Sequence, residues 1–123
     1  MHYDDGHVTA EIEVKRATFG DALKRSQEIR SVKQLNGEDE DAAYTRAVVQ
    51  STLRYGTASA KIEAVTPSQP VGDDLYDAAL LDLPADLVEA WLEEVYKVNP
   101  MWNPQRTFEP EASEKKASTS IVA

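Results

Sequence analysis

The sequence predicts a mixed α+β domain, mostly helical, with an N-terminal strand packed on three to four helices. Three observations predict it. Residues 8–14 alternate apolar and polar side chains, the period of a half-buried strand. Residues 18–56 carry two runs in which apolar side chains recur at three- and four-residue steps, the period of a helix face. Residues 84–99, "PADLVEAWLEEVYKVN", form one long amphipathic stretch between prolines.

In the first strand, Val8, Ala10, Ile12 and Val14 alternate with Thr9, Glu11, Glu13 and Lys15. The first helix places Phe19, Ala22, Leu23, Ser26, Ile29 and Val32 on one face, with Thr18 as its cap and a stop near Asn36-Gly37. Gly20 weakens its start by about 1 kcal/mol relative to alanine. The second helix begins among four acids, Glu38 to Asp41, where the helix dipole favours negative charge, and ends at Gly56. Ala43, Ala47, Val48, Val49, Thr52 and Leu53 give it a face wide enough to pack on two sides. The short link between the helices favours an antiparallel hairpin.

Ala58, Ala60, Ile62 and Ala64 alternate with Ser59, Lys61, Glu63 and Val65. Residues 58–65 therefore read as a strand that pairs with the first, although Ala, Lys and Glu form strands poorly and a helical reading stays open. "PSQPVG" (67–72) reads as a loop, and "DDLYDAALLDLP" contains a short helical turn. Pro84 suits the first position of the last helix, where its missing N–H is not needed. Leu87, Val88, Trp91, Leu92, Val95 and Val98 form one apolar stripe opposite Glu89, Glu93, Glu94 and Lys97. The expected organisation is a flexible N-terminus over residues 1–7, one small domain over 8–104 and a disordered acidic and polar tail over 105–123.

The chain has 123 residues with 13 basic and 22 acidic side chains, a net charge of −9 that opposes binding to phosphate backbones. It has no cysteine, which excludes disulfides, a thiol nucleophile and Cys-ligated zinc. Only His2 and His7 are available as histidines, both in the N-terminal segment with Asp4 and Asp5. A metal held there would have to order that segment first, so none is expected. Asp73, Asp74, Asp77, Asp82 and Asp86 fall close together, as capping and dipole effects at helix starts favour. No glycine-rich phosphate loop occurs. No catalytic, cofactor-binding or metal residue is assigned, and the chain reads as non-enzymatic. The N-terminus lacks the basic and apolar regions of a signal peptide, and the longest apolar run, Ala78 to Leu81, is four residues. An intracellular protein with no membrane partner is therefore expected.

The candidate partner contacts are Trp102, Met101 and Phe108 beyond the last helix, together with Trp91 and Tyr96 on it. Trp91 lies in the middle of the stripe, where burial in the core is the stronger expectation. Trp102 sits between the prolines of "NPMWNP" and either folds back on the core or anchors a partner, as aromatic and sulfur-containing side chains do at interface centres.

The order "EVKRATFGDALKRSQEI", "EDEDAAYTRAVVQSTLRYG" and "LPADLVEAWLEEVYKVNPMWNP", followed by a polar tail, resembles the tail assembly chaperones of long-tailed, siphovirus-type bacteriophages over residues 8–104. The resemblance implies a non-enzymatic protein of the host bacterial cytoplasm. It would bind the tape measure protein, a long helical chain with exposed apolar stripes, and keep it soluble while the tail tube assembles. Self-association, or association with a longer form made by ribosomal frameshifting, is also implied; Lys115-Lys116 is the place where adenine-rich codons could allow one. Two other readings compete. One is a minor virion structural or tail completion protein, docked by an edge strand. The other is an acidic inhibitor of a basic host protein, which the clustering of acids at helix starts disfavours.

Overall fold

In the computed structural model the alternating segment is the centre of an antiparallel sheet. The structure describes residues 1–65, 69–72 and 74–104. Strand β1 (His2–Asp4) pairs with β2 (Val8–Val14), and helices α1 (Phe19–Arg30) and α2 (Glu40–Gly56) follow. Strand β3 (Thr57–Ala64) then returns beside β2, with Ala10 opposite Ile62 and Ile12 opposite Ala60. A short β4 (Gln69–Pro70) completes the order β1-β2-β3-β4. A 3-10 turn (Ala78–Asp82) leads into helix α3 (Ala85–Val98), and a second 3-10 turn (Pro100–Trp102) follows it.

The expected flexible terminus is instead an edge strand. Asp5 Oδ1 accepts from the backbone N–H groups of His7 and Val8 at 2.8 and 2.7 Å, and Asp4 Oδ1 accepts from Gly6 N–H at 2.9 Å. Gly6 sits at φ +88°, where a glycine is favoured. The backbone donors also hold the Asp5 carboxyl below the usual carboxylate range. His2 pairs with Glu11 across the strands. Among the described residues, no group of three or more His, Cys, Asp or Glu is gathered to hold a metal.

Tertiary packing decides for strand over helix at residues 57–64. Ile62 lies under the helices at 4% exposure, while Lys61 faces Glu11 on the solvent side of the sheet. An opposite-charge cross-strand pair and a buried isoleucine outweigh the modest propensity of Ala, Lys and Glu.

The core lies between sheet and helices. Ala10, Ile12 and Ile62 rise from the sheet to meet Leu53 of α2 and Leu87, Trp91 and Val95 of α3, with Leu80 closing one end. Trp91 is fully buried, its Nε1–H donates to Thr57 Oγ1 at 2.9 Å, and its ring leans on Tyr76 with centroids 5.8 Å apart.

Helix α1 departs from expectation. Thr18 caps it in a reciprocal box with Asp21, but it stops at Arg30, and Ser31 bonds back to the Gln27 carbonyl at 2.8 Å. Val32 therefore lies outside the helix. None of its residues is fully buried; Phe19 and Leu23 face solvent at 78% and 54% exposure. The linker to α2 is clamped by Arg46, which bonds Glu38 at 2.7 Å and the Lys33 carbonyl at 2.9 Å. Helix α2 is capped by Asp39, the residue before it, whose carboxylate accepts from Ala42 N–H.

Gly56 ends α2 where it crosses α3. A Cβ built on it would lie 2.4 Å from Val95 Cγ1, so only glycine lets the backbones approach this closely. Gly56→Ala is expected to destabilise the protein by about 1–3 kcal/mol through overpacking. Gly20→Ala, whose Cβ would meet only Thr18 Oγ1 at 3.7 Å, is expected to stabilise it by about 0.5–1 kcal/mol. Urea titration of the two variants measures both, and the opposite signs are the test.

Pro84 is the residue before α3 and not its first residue, a shift of one position. Asn99 caps the other end and joins distant parts of the chain. Its Nδ2–H donates to the Lys15 carbonyl at 2.9 Å, and its Oδ1 accepts from Ala17 N–H at 2.8 Å. The strand-to-helix linker 15–18 is thus pinned to the end of α3. Asn99→Ala leaves both backbone groups without these partners at a site only 7% exposed, and is expected to lower stability by about 2–3 kcal/mol in thermal unfolding.

Candidate partner-binding surface

The stripe that the sequence presents on α3 divides into two. Leu87, Trp91 and Val95, spaced by four, are fully buried against the sheet. Val88 and Leu92 are only half-buried and Val98 is exposed; together with Tyr96, which lies beside the stripe, they line concavities on the helical side.

Three such concavities adjoin one another. The first, about 530 Å³, lies between the pinned linker and the end of α3, where Phe19 and Ala22 face Val98, Met101 and Trp102. The second, about 420 Å³, is bounded by Arg25 and Ile29 of α1, Tyr44, Val48 and Val49 of α2, and Tyr96 with Trp102. The third, about 450 Å³, lies between α2 and the start of α3, floored by Val49, Val88 and Leu92 and edged by Leu81 and Leu83. Trp102 walls both the first and the second, while Thr45 and Val49 wall both the second and the third. Together they make an apolar track across all three helices.

Its most exposed large apolar side chains are Phe19 at 78%, Met101 at 72%, and Tyr44 and Leu81 at 58%. A single exposed apolar residue is ordinary, but several bordering one groove mark an interaction site. Fully burying a side chain such as Phe or Met contributes about 1.5–3 kcal/mol, which this fold leaves unused here.

Of the residues singled out in the sequence, Met101, Trp102 and Tyr96 line the track. Trp102 folds back on the core: its ring packs against the core cluster and lies under the Arg25 guanidinium at 4.6 Å, and it stays half-buried between two grooves. Trp91 is a correction, since it is fully buried and offers no surface to a partner. Phe108, Lys115, Lys116, Asp73 and the expected tail lie outside the described residues. The track is also lined by Phe19, which the sequence places on one helix face, and by Arg25, Tyr44 and Leu81, to which it gives no site role.

The electrostatics separate the faces. On the solvent side of the sheet, Glu11 and Glu13 stand exposed with Lys61. Along α3, Glu89 and Glu93 stand exposed beside the track. Within it, burial pushes the Tyr96 phenol above its ordinary range, with Arg25 nearby opposing the shift.

No protein-family model matches this chain, and comparison with curated proteins and with solved structures also yields no match. Among the described residues, no helix is long and apolar enough to cross a membrane.

Proposed function

We propose that this chain is a non-enzymatic tail assembly chaperone that binds the tape measure protein of a long-tailed phage and keeps it soluble in the host bacterial cytoplasm. The observation that carries this reading is the apolar track of α1, α2 and α3, running from Phe19 and Met101 past Trp102 and Tyr96 to Val88 and Leu81. A client helix with apolar side chains at i, i+3/i+4 and i+7 would lay that face into the track, in helix-in-groove recognition. The net charge of −9 would keep the complex dispersed in solution. The resemblance of residues 8–104 to the chaperone family supplies the identity of the client. Co-expression tests the reading: the soluble fraction of the tape measure protein should rise severalfold when this chain is present, and no rise would contradict it.

One observation favours a second reading. The outer edge of β3 meets β4 only at Glu63 and Ala64, so Ala58 to Lys61 have no strand partner on that side among the described residues. A virion structural protein could dock by adding a strand there. Mass spectrometry of purified particles separates the two, because a chaperone would be absent from them and a structural protein retained.

A further inference from the structure

Arg25 stands out in a chain with nine more acids than bases. Among the described residues, the other two half-buried arginines have carboxylate partners: Arg46 bonds Glu38, and Arg54 pairs with Glu28 and Asp77. Arg25 has none among the described residues. Its Nε–H donates to Thr52 Oγ1 at 2.9 Å, and Trp102 lies against its guanidinium face. Neither Nη atom has a hydrogen-bond partner among the described residues, and neither is sealed from solvent. Around them are apolar and aromatic walls, namely Ile29, Tyr44, Val48 and Tyr96.

We infer that Arg25 is a carboxylate anchor at the middle of the track, taking an Asp or Glu side chain that interrupts the apolar face of the partner helix. The inference rests on the helix-binding reading above and names the polar contact within it.

The chemistry follows from how the guanidinium is held. Thr52 is fully buried and fixes the Nε edge, while Trp102 fixes the plane. The Nη1–Nη2 edge is left, in the fork geometry that a carboxylate matches with two parallel hydrogen bonds. Burial disfavours the charged form of this group, yet an arginine remains protonated, so its desolvation penalty persists until an anion arrives. A carboxylate would relieve that penalty, whereas an apolar side chain seated there would deepen it. Position also matters, because the grooves on either side of Arg25 are apolar. The anchor would thus set the register of the client helix, a specificity role suited to a charge inside an apolar interface. A polyanion is disfavoured by the acidic field of the whole chain, which a single carboxylate on an apolar helix feels far less.

The test uses a capped amphipathic Leu/Ala/Lys peptide of about 18 residues, long enough to span several helical turns, with Glu or Gln at the centre of its apolar face. Acetylation and amidation remove its terminal charges, and titration calorimetry reads affinity. The wild-type chain should bind the Glu peptide about tenfold more tightly than the Gln peptide. Arg25→Gln should abolish the preference, and Arg25→Lys should keep only part of it. Near-UV circular dichroism checks folding; if Arg25→Gln is unfolded, the wild-type comparison and Arg25→Lys still decide. Equal wild-type binding of both peptides, or an unchanged preference in Arg25→Lys, overturns the anchor while leaving the helix-binding reading intact. Binding of neither peptide overturns both. Competition by inorganic phosphate as strong as that of acetate shows a general anion site and overturns the carboxylate assignment.

Discussion

Replacing Trp91 by alanine is expected to lower the unfolding free energy by about 3–5 kcal/mol, a large part of the 5–15 kcal/mol typical of a domain. The side chain is the largest of those fully buried, and it touches every layer of the fold. It shares the core cluster with Ile12 and Ile62 of the sheet, leans on Tyr76 and donates to Thr57 at the junction of α2 and β3. Alanine would leave a cavity between sheet and α3 and remove that donor. Trp102→Ala should be milder, because Trp102 is half-buried and its loss opens a groove wall and uncovers Arg25 without hollowing the core. Chemical denaturation monitored by far-UV circular dichroism ranks the two. Equal losses would mean that Trp102 belongs to the core as fully as Trp91, and a Trp102 binding phenotype would then report unfolding.

The second large effect is on binding. Phe19→Ser combined with Met101→Ser is expected to weaken client binding about 100-fold or more, from about 1.5 kcal/mol at each site. Both side chains border the groove between the linker and the end of α3, and both are more than two-thirds exposed. Their replacement therefore removes little packing, and the melting temperature should stay within about 2 °C of wild type. Binding and stability thus separate in this variant, which is what distinguishes an interface side chain from a core one. Binding loss accompanied by a large fall in melting temperature would place these residues in the core after all.

Much of the fold was legible because the sequence pattern and the packing agree. Strand β2 alternates cleanly, α2 and α3 have the expected periodicity, and β3 pairs with β2 in the register that buries Ile62. The N-terminal strand was missed although its signal was present: "DGH" (5–7) separates "HYD" (2–4) from an alternating strand, and Asp-Gly is a strong hairpin signal. Helix α1 was misread for another reason. Its apolar face is real, but periodicity shows only that a face exists and not what covers it. Here α2 covers part of it, and Phe19 and Leu23 lie beyond that contact. The same limit applies to α3, where Leu87, Trp91 and Val95 cannot be told from Val88, Leu92 and Val98 until the sheet is placed on one side. The half of the stripe turned away from the sheet became the track. Arg25 was invisible to sequence reasoning because its distinction lies in lacking a carboxylate partner among the described residues, and that can be seen only once its neighbours are in place.

Amide hydrogen exchange of this chain, alone and with the tape measure protein, tests the central claim most directly. The account predicts added protection in α1 and around residues 96–102, with β3 residues 58–61 unchanged. Protection confined to residues 58–61, with α1 and the end of α3 exchanging as before, would contradict it and make the sheet edge the interface.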